Sequence, residues 1–147
     1  MIIHEVKTSE DVIKTLIALS ADWEKEQSCY GYRANTREDL AGRRVFLAEE
    51  NGETLGYLFG IVFPAQNMRS VIPDGAPCFE AEELYVVPPR RREGIGAALF
   101  RYAEKTLAGD AEYIVLSTAS KNREAVFRFY LDELDMNFWS ARLYKKI

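Results

Sequence analysis

ELYVVPPRRREGIGAALF, residues Glu83 to Phe100, sets a strand-like apolar run, two prolines, three consecutive arginines and a glycine pair directly before a helical pattern. A strand that ends in a tight turn feeding a helix leaves backbone N–H groups without acceptors at the helix N-terminus, and their partial positive charge attracts an anion. Gly94 and Gly96 add no side chain, so backbone can approach a bulky diphosphate, while Arg90, Arg91 and Arg92 can add charge-assisted hydrogen bonds. Two common phosphate loops do not fit: the P-loop requires Gly-Lys-Ser/Thr, and the dinucleotide fingerprint requires Gly or Ala where Leu99 stands. A solvated turn carrying surface arginines is the plainer reading of the same letters.

Outward from this stretch, Cys78 to Val87 reads as a strand stopped by Pro88-Pro89, and Ile95, Ala98, Leu99, Tyr102 and Thr106 repeat at helical spacing toward Gly109. Upstream, Asn51-Gly52 between Val45–Glu49 and Glu53–Phe63 predicts a hairpin, because both turn residues tolerate positive φ. Ile2 to Lys7 predicts a first strand. Ser9 or Thr8 starts a helix with Val12, Leu16, Leu19 and Trp23 on one face, and a short helix is expected over Thr36 to Gly42. Downstream, Tyr113 to Thr118 predicts a strand, Asn122 caps a helix bearing Val126, Phe129 and Tyr130, and a final strand or hairpin is expected around Met136 to Tyr144. This order predicts an α/β (mixed α+β) single domain over residues 1–147, with antiparallel strands first and parallel crossover units after.

The chain has 147 residues, 48% hydrophobic and 29% charged, which suits one ordinary core and excludes disorder or a disulfide scaffold. A net charge of -4 argues against nucleic acid as partner. Cys29 and Cys78 fall in no CxxC or Cys/His cluster, so no metal is expected and reduced thiols in the cytoplasm are. The N-terminus MIIHEVKTSEDV becomes charged before any secretory apolar stretch, and no segment approaches a membrane span, so no membrane partner is expected.

Arg91-Arg92-Glu93-Gly94-Ile95-Gly96 resembles the Arg/Gln-x-x-Gly-x-Gly/Ala motif of the GCN5-related N-acetyltransferase (GNAT) superfamily, and Leu84 to Pro88 resembles the strand before it. Asn122-x-x-Ala125-x-x-x-Phe129-Tyr130 is similar to that family's downstream motif. The resemblance covers Glu80 to Tyr130 well, extends over the hairpin, and is weak before residue 45; Asn137-Phe138-Trp139 departs from the usual Gly-Phe. It implies the GNAT fold, with a central mixed sheet flanked by helices, and acetyl-CoA as co-substrate with an amine acceptor. It further implies coenzyme contacts from the main chain of Val86 and Val87, from Arg91, Arg92, Glu93, Gly94, Ile95, Gly96 and Ala97, and from Asn122.

Acetyl transfer needs a neutral amine, whereas an alkylamine with a pKa near ~10 is protonated at neutral pH, so a base is required. Strict alternation puts Glu80 and Glu82 on one face of their strand and Glu83 on the other. By resemblance to polyamine-type members, Glu82 aligns with the base candidate and Glu83 is next. Solvent exposure, or pairing with Arg43, Arg44 or Arg69, is the non-catalytic reading of each. The resemblance makes Tyr130 the general acid for the departing thiolate, with core packing as the alternative. His4 receives no role. The expected activity is transfer of acetyl to a primary amine of a small, polyamine-like molecule by direct attack; a noncatalytic acyl-CoA sensor and a protein-amine acetyltransferase are the alternatives. The apolar piece Phe138 to Tyr144 is the expected contact of a homodimer.

Overall fold

The computed structural model describes residues 1–68 and 70–147. Five strands form one sheet in the order β1-β2-β3-β4-β5: β1 (Ile2–Val6), β2 (Arg44–Glu50), β3 (Glu53–Pro64), β4 (Pro77–Val86) and β5 (Tyr113–Val115). The first three pairings are antiparallel, and β4 with β5 is parallel, as the sequence order predicts. Asn51 and Gly52 both take positive φ, 51° and 79°, the backbone a two-residue hairpin between β2 and β3 requires.

Helix α1 (Glu10–Glu26) starts at Ser9, whose side chain accepts from the Val12 amide, and α2 (Arg37–Leu40) is fixed by a Thr36/Asp39 capping box. Helix α3 (Ile95–Leu107) follows the arginine–glycine loop and ends two residues before Gly109. Each sheet face has its own core. One packs Phe46, Leu58 and Phe79 against Leu99, Phe100 and Ala103 of α3; the other packs Val45, Leu47, Tyr57 and Tyr85 against Ile13 and Leu16 of α1 and Leu40 of α2. Arg69, a candidate partner for the strand carboxylates, lies outside the described residues.

Three expectations need correction. The helix after Asn122 is α-helical only over Arg123–Phe127 (α4) and continues as a π-helical turn, Arg128–Glu133, which contains Tyr130. The expected strand Tyr113 to Thr118 stops at Val115, because the chain beyond it spends backbone hydrogen bonds on the segment after α1: Tyr30 N–H donates to Ala119 O and Lys121 N–H to Ser28 O, both at 2.9 Å. The final strand or hairpin around Met136 to Tyr144 does not form among the described residues, since so short a β5 offers little ladder to extend. Phe138, Trp139, Leu143 and Tyr144 are exposed instead.

Candidate active site

The site has two halves joined by β4. The first is the loop before α3. Arg92 takes φ 67° and Gly94 φ 82°, so two left-handed residues turn the chain sharply from the 3-10 turn Pro88–Arg90 into α3. A non-glycine residue in that region costs roughly 1–3 kcal/mol and persists where surrounding structure holds it, often at binding sites. Among the described residues, the N–H groups from Arg92 to Ala97 find no backbone or side-chain acceptor, which makes the loop an anion cradle at the N-terminus of a 13-residue helix. A Cβ on Gly96 would lie 3.3 Å from the Phe129 ring, so this glycine lets α3 approach the turn that carries Tyr130.

The arginines divide their work. Arg90 is held by Glu93 (2.9 Å) and Glu50 (2.8 Å). Arg91 makes a two-pronged pair with Glu26 at the end of α1 (2.7 and 2.9 Å), donates through Nε to Val86 O at 2.8 Å, and lies 5.3 Å over the Tyr85 ring. It ties α1, β4 and the loop together. Arg92 has no ion-pair or hydrogen-bond partner among the described residues.

The ladder between β4 and β5 ends at Glu80 and Val115, so from Ala81 onward the β5-side edge of β4 has no strand partner among the described residues. Val87 N–H donates to Leu55 O at 2.9 Å, so by antiparallel alternation the N–H and C=O of Val86 point away from β3 and toward that open edge. Of the two expected main-chain contacts, the N–H of Val86 therefore faces the opening, its C=O being taken by Arg91 Nε, whereas the N–H of Val87 is already spent.

The second half is produced by a β-bulge. Phe59 pairs with Glu83 but Gly60 with Ala81, leaving Glu82 as the extra residue of β4. Before the bulge Phe79 and Ala81 pack toward α3; after it Leu84 and Val86 do, and Tyr85 turns to the α1 side. Strict alternation is thus broken where it mattered. Glu82 and Glu83, expected on opposite faces, line one pocket of about 250 Å³ with Gly31, Tyr32, Arg33, Asn35, Asp39, Arg43 and Phe59.

The two carboxylates differ. Glu82 is clamped by Arg43, with Nε–Oε1 2.7 Å and Nη2–Oε2 3.1 Å, the non-catalytic pairing foreseen from the sequence. Glu83 has no cationic partner among the described residues. Its Oε2 accepts from Tyr57 OH (2.8 Å), Asn35 Nδ2 (2.9 Å) and Tyr32 OH (3.2 Å), while Oε1 has no protein donor among them. Burial pushes the Glu83 carboxyl above the ordinary glutamate value; the three donors oppose that rise and the neighbouring charge of Glu82 adds to it. Burial and the Glu83 charge also push the phenols of Tyr57 and Tyr32 far up, so both remain donors. Asn35 and Tyr57 escaped the sequence reading. Asn35 is placed by Ser20 of α1, whose buried hydroxyl accepts from the Asn35 N–H at 2.9 Å, and the only hint of Tyr57 was a polar tip within the apolar run of β3.

Tyr130 packs against Phe129 and Phe100, centroids 4.9 and 6.4 Å away. Burial pushes its phenol up to about 12, with Cys29 adding to the rise. Asn122 Oδ1 accepts from the Ala125 N–H at 3.1 Å, the capping role expected of it. Among the described residues no cluster of His, Cys, Asp and Glu has metal-binding geometry, and no helix is long and apolar enough to cross a membrane.

The fold is shared with solved structures. An aminoglycoside acetyltransferase from an uncultured soil metagenomic sample, in complex with trehalose, superposes with a TM-score of 0.71 at 17% identity, covering 99% of this chain and 95% of that one. A ribosomal-protein-alanine N-acetyltransferase from Brucella melitensis gives 0.68 at 15% identity, covering 99% and 100%. A protein described as a transcriptional regulator from Bacillus halodurans gives 0.71 at 17% identity, covering 99% of each chain. Comparison with curated proteins finds no significant sequence match. The family model for the acetyltransferase (GNAT) family matches residues 12–146, nearly the whole chain. With the unpaired amides before α3 and the open edge of β4 already in place, the chain belongs to the GNAT family and is an acetyl-CoA-dependent N-acetyltransferase.

Proposed function

We propose that the chain acetylates a primary amine of a small molecule by direct attack in a ternary complex, with Glu83 as the base. The observation that carries this is the one-sided saturation of Glu83: three donors fix Oε2, and Oε1 is left for a substrate proton in a residue lining the pocket. A carboxylate whose pKa is raised by burial lies closer to the operating range of a base than an exposed one. Glu83 Oε1 takes a proton from the ammonium, and the neutral nitrogen attacks the thioester carbonyl carbon. The C–S bond breaks with its electron pair going to sulfur, the nitrogen's second proton being released to replace the one Tyr130 gives up. Tyr130, its phenol kept protonated, supplies the thiolate's proton. The Val86 N–H, on the open edge of β4, stabilises the oxyanion, and Arg92 with the amides through Ala97 binds the diphosphate of the co-substrate. Glu93 and Asn122 contribute through the loop and helix starts they fix, Glu93 by holding Arg90 and Asn122 by capping α4.

The pocket of about 250 Å³ has room for the amine end of a small acceptor. The reading includes a cytoplasmic setting and self-association through the exposed Phe138 to Tyr144, the latter open to sedimentation analysis. Coenzyme A release over a panel of amines tests the catalytic core. Glu83→Gln should lose turnover by about 10²–10⁴-fold while Glu82→Gln retains most of it; the reverse order makes Glu82 the base, and tight acetyl-CoA binding without turnover makes the chain a sensor.

A further inference from the structure

The pocket beside Glu83 holds charges of both signs, and their pairing bears on the acceptor. Three acids line it. Glu82 is neutralised by the two-pronged bond from Arg43. Asp39 is occupied in capping α2, with Oδ2 accepting from Thr36 N–H at 2.8 Å and Thr36 Oγ1 at 3.0 Å, and it also lies 3.7 Å from Arg33. Glu83 alone has no cation among the described residues. One unpaired carboxylate suits one ammonium; a polyamine would bring further positive charges against two guanidiniums.

Those guanidiniums are themselves available. Arg43 is fixed from two directions, by Glu82 and by the Ala41 carbonyl that accepts from Nη1 at 3.1 Å, which uses three of its five N–H hydrogens and leaves two. Arg33 makes no hydrogen bond among the described residues, its contact with Asp39 being 3.7 Å long, and its side chain is 72% exposed at the pocket mouth. Arg33, exposed and without a hydrogen bond among the described residues, offers its charge to an anion, and Arg43, balanced by Glu82, adds its two remaining N–H donors. Beside the unpaired Glu83 they form a receptor for opposite charges on one molecule.

We propose that the acceptor carries a carboxylate or similar planar anion besides its amine, the anion received by Arg33 and Arg43 and the amine by Glu83. This rests on the assignment of the amine site above and departs from the polyamine-like acceptor expected from the sequence. Arg33 and Arg43 are then specificity-determining residues.

The test is calorimetric binding to the full chain saturated with coenzyme A, so that it does not depend on turnover. The probes are linear ω-amino acids of increasing length, their carboxamides, and spermidine. At least one amino acid should bind about tenfold or more tighter than its carboxamide, as a charge-assisted pair implies, and tighter than spermidine. Arg33→Ala should remove most of that preference by weakening the amino acid far more than its carboxamide. Equal binding of acids and amides, or tightest binding of spermidine, overturns the proposal. Coenzyme A release with the same panel is read separately: turnover without discrimination overturns this inference alone, whereas discrimination in binding without turnover leaves it standing and removes the catalytic assignment.

Discussion

Tyr57, on β3, donates to Oε2 of Glu83 at 2.8 Å from the neighbouring strand, and the bulge at Glu82 turns Glu83 toward it. The contact does two things at once. It fixes the carboxylate's rotamer, and it stabilises the charged form against a burial that favours the neutral one.

The acid side of the rate profile follows from that balance. Because Glu83 must be deprotonated to accept a proton and its pKa is raised, kcat/KM should fall on acidification at a pH above the ordinary glutamate range. Tyr57→Phe removes a donor that lowers this pKa, so the acid limb should move further up. A pH–rate series on both proteins checks the sign; a limb that stays still or moves down contradicts the assignment.

Stability should show the opposite preference. The folded chain holds the Glu83 proton to higher pH than the unfolded chain does, so the neutral form's contribution is complete below the ordinary glutamate pKa and is lost as pH rises through the folded value. Glu83→Gln has no such charge to bury. Relative to wild type it should gain in urea midpoint as pH is raised from about 4 toward 7, with m unchanged.

Arg92→Ala should raise KM for acetyl-CoA about tenfold with kcat nearly unchanged, the loss of one charge-assisted contact, and should weaken the dependence of KM on salt. Arg91→Ala should differ, because Arg91 braces Glu26 and Val86 O rather than standing free. Its loss should lower kcat as well, through a displaced Val86 N–H. Steady-state kinetics at two ionic strengths separate the two arginines.

Tyr130→Phe should lower kcat by about 10²-fold or more, the ordinary share of a general acid, with little change in melting temperature, since the ring contacts with Phe129 and Phe100 remain. With the phenol pushed up to about 12, no alkaline limb from Tyr130 should appear below pH 10. An unchanged kcat reduces Tyr130 to core packing.

What could be read from the sequence was what local rules determine. Asn51-Gly52 required a turn, Pro88-Pro89 ended a ladder, and Gly94 supplied a left-handed turn while Gly96 left room beside the Phe129 ring, so the hairpin, the end of β4 and the anion loop were all legible. The orientation of Glu82 and Glu83 was not, because one unpaired residue in β4 reverses the alternation on which that expectation stood. Nor was the donor set of Glu83, since Tyr32, Asn35 and Tyr57 lie 51, 48 and 26 residues away in the chain. The final strand failed for a related reason: a strand needs a ladder, and the residues after Val115 bond instead to Ser28 and Tyr30.

Amide-resolved NMR during titration with acetyl-CoA tests the central claim most directly. The N–H signals of Arg92 to Ala97, without acceptors in the free chain, should shift together and gain protection from exchange as the co-substrate binds. Saturable binding that leaves those six amides unmoved would contradict the account.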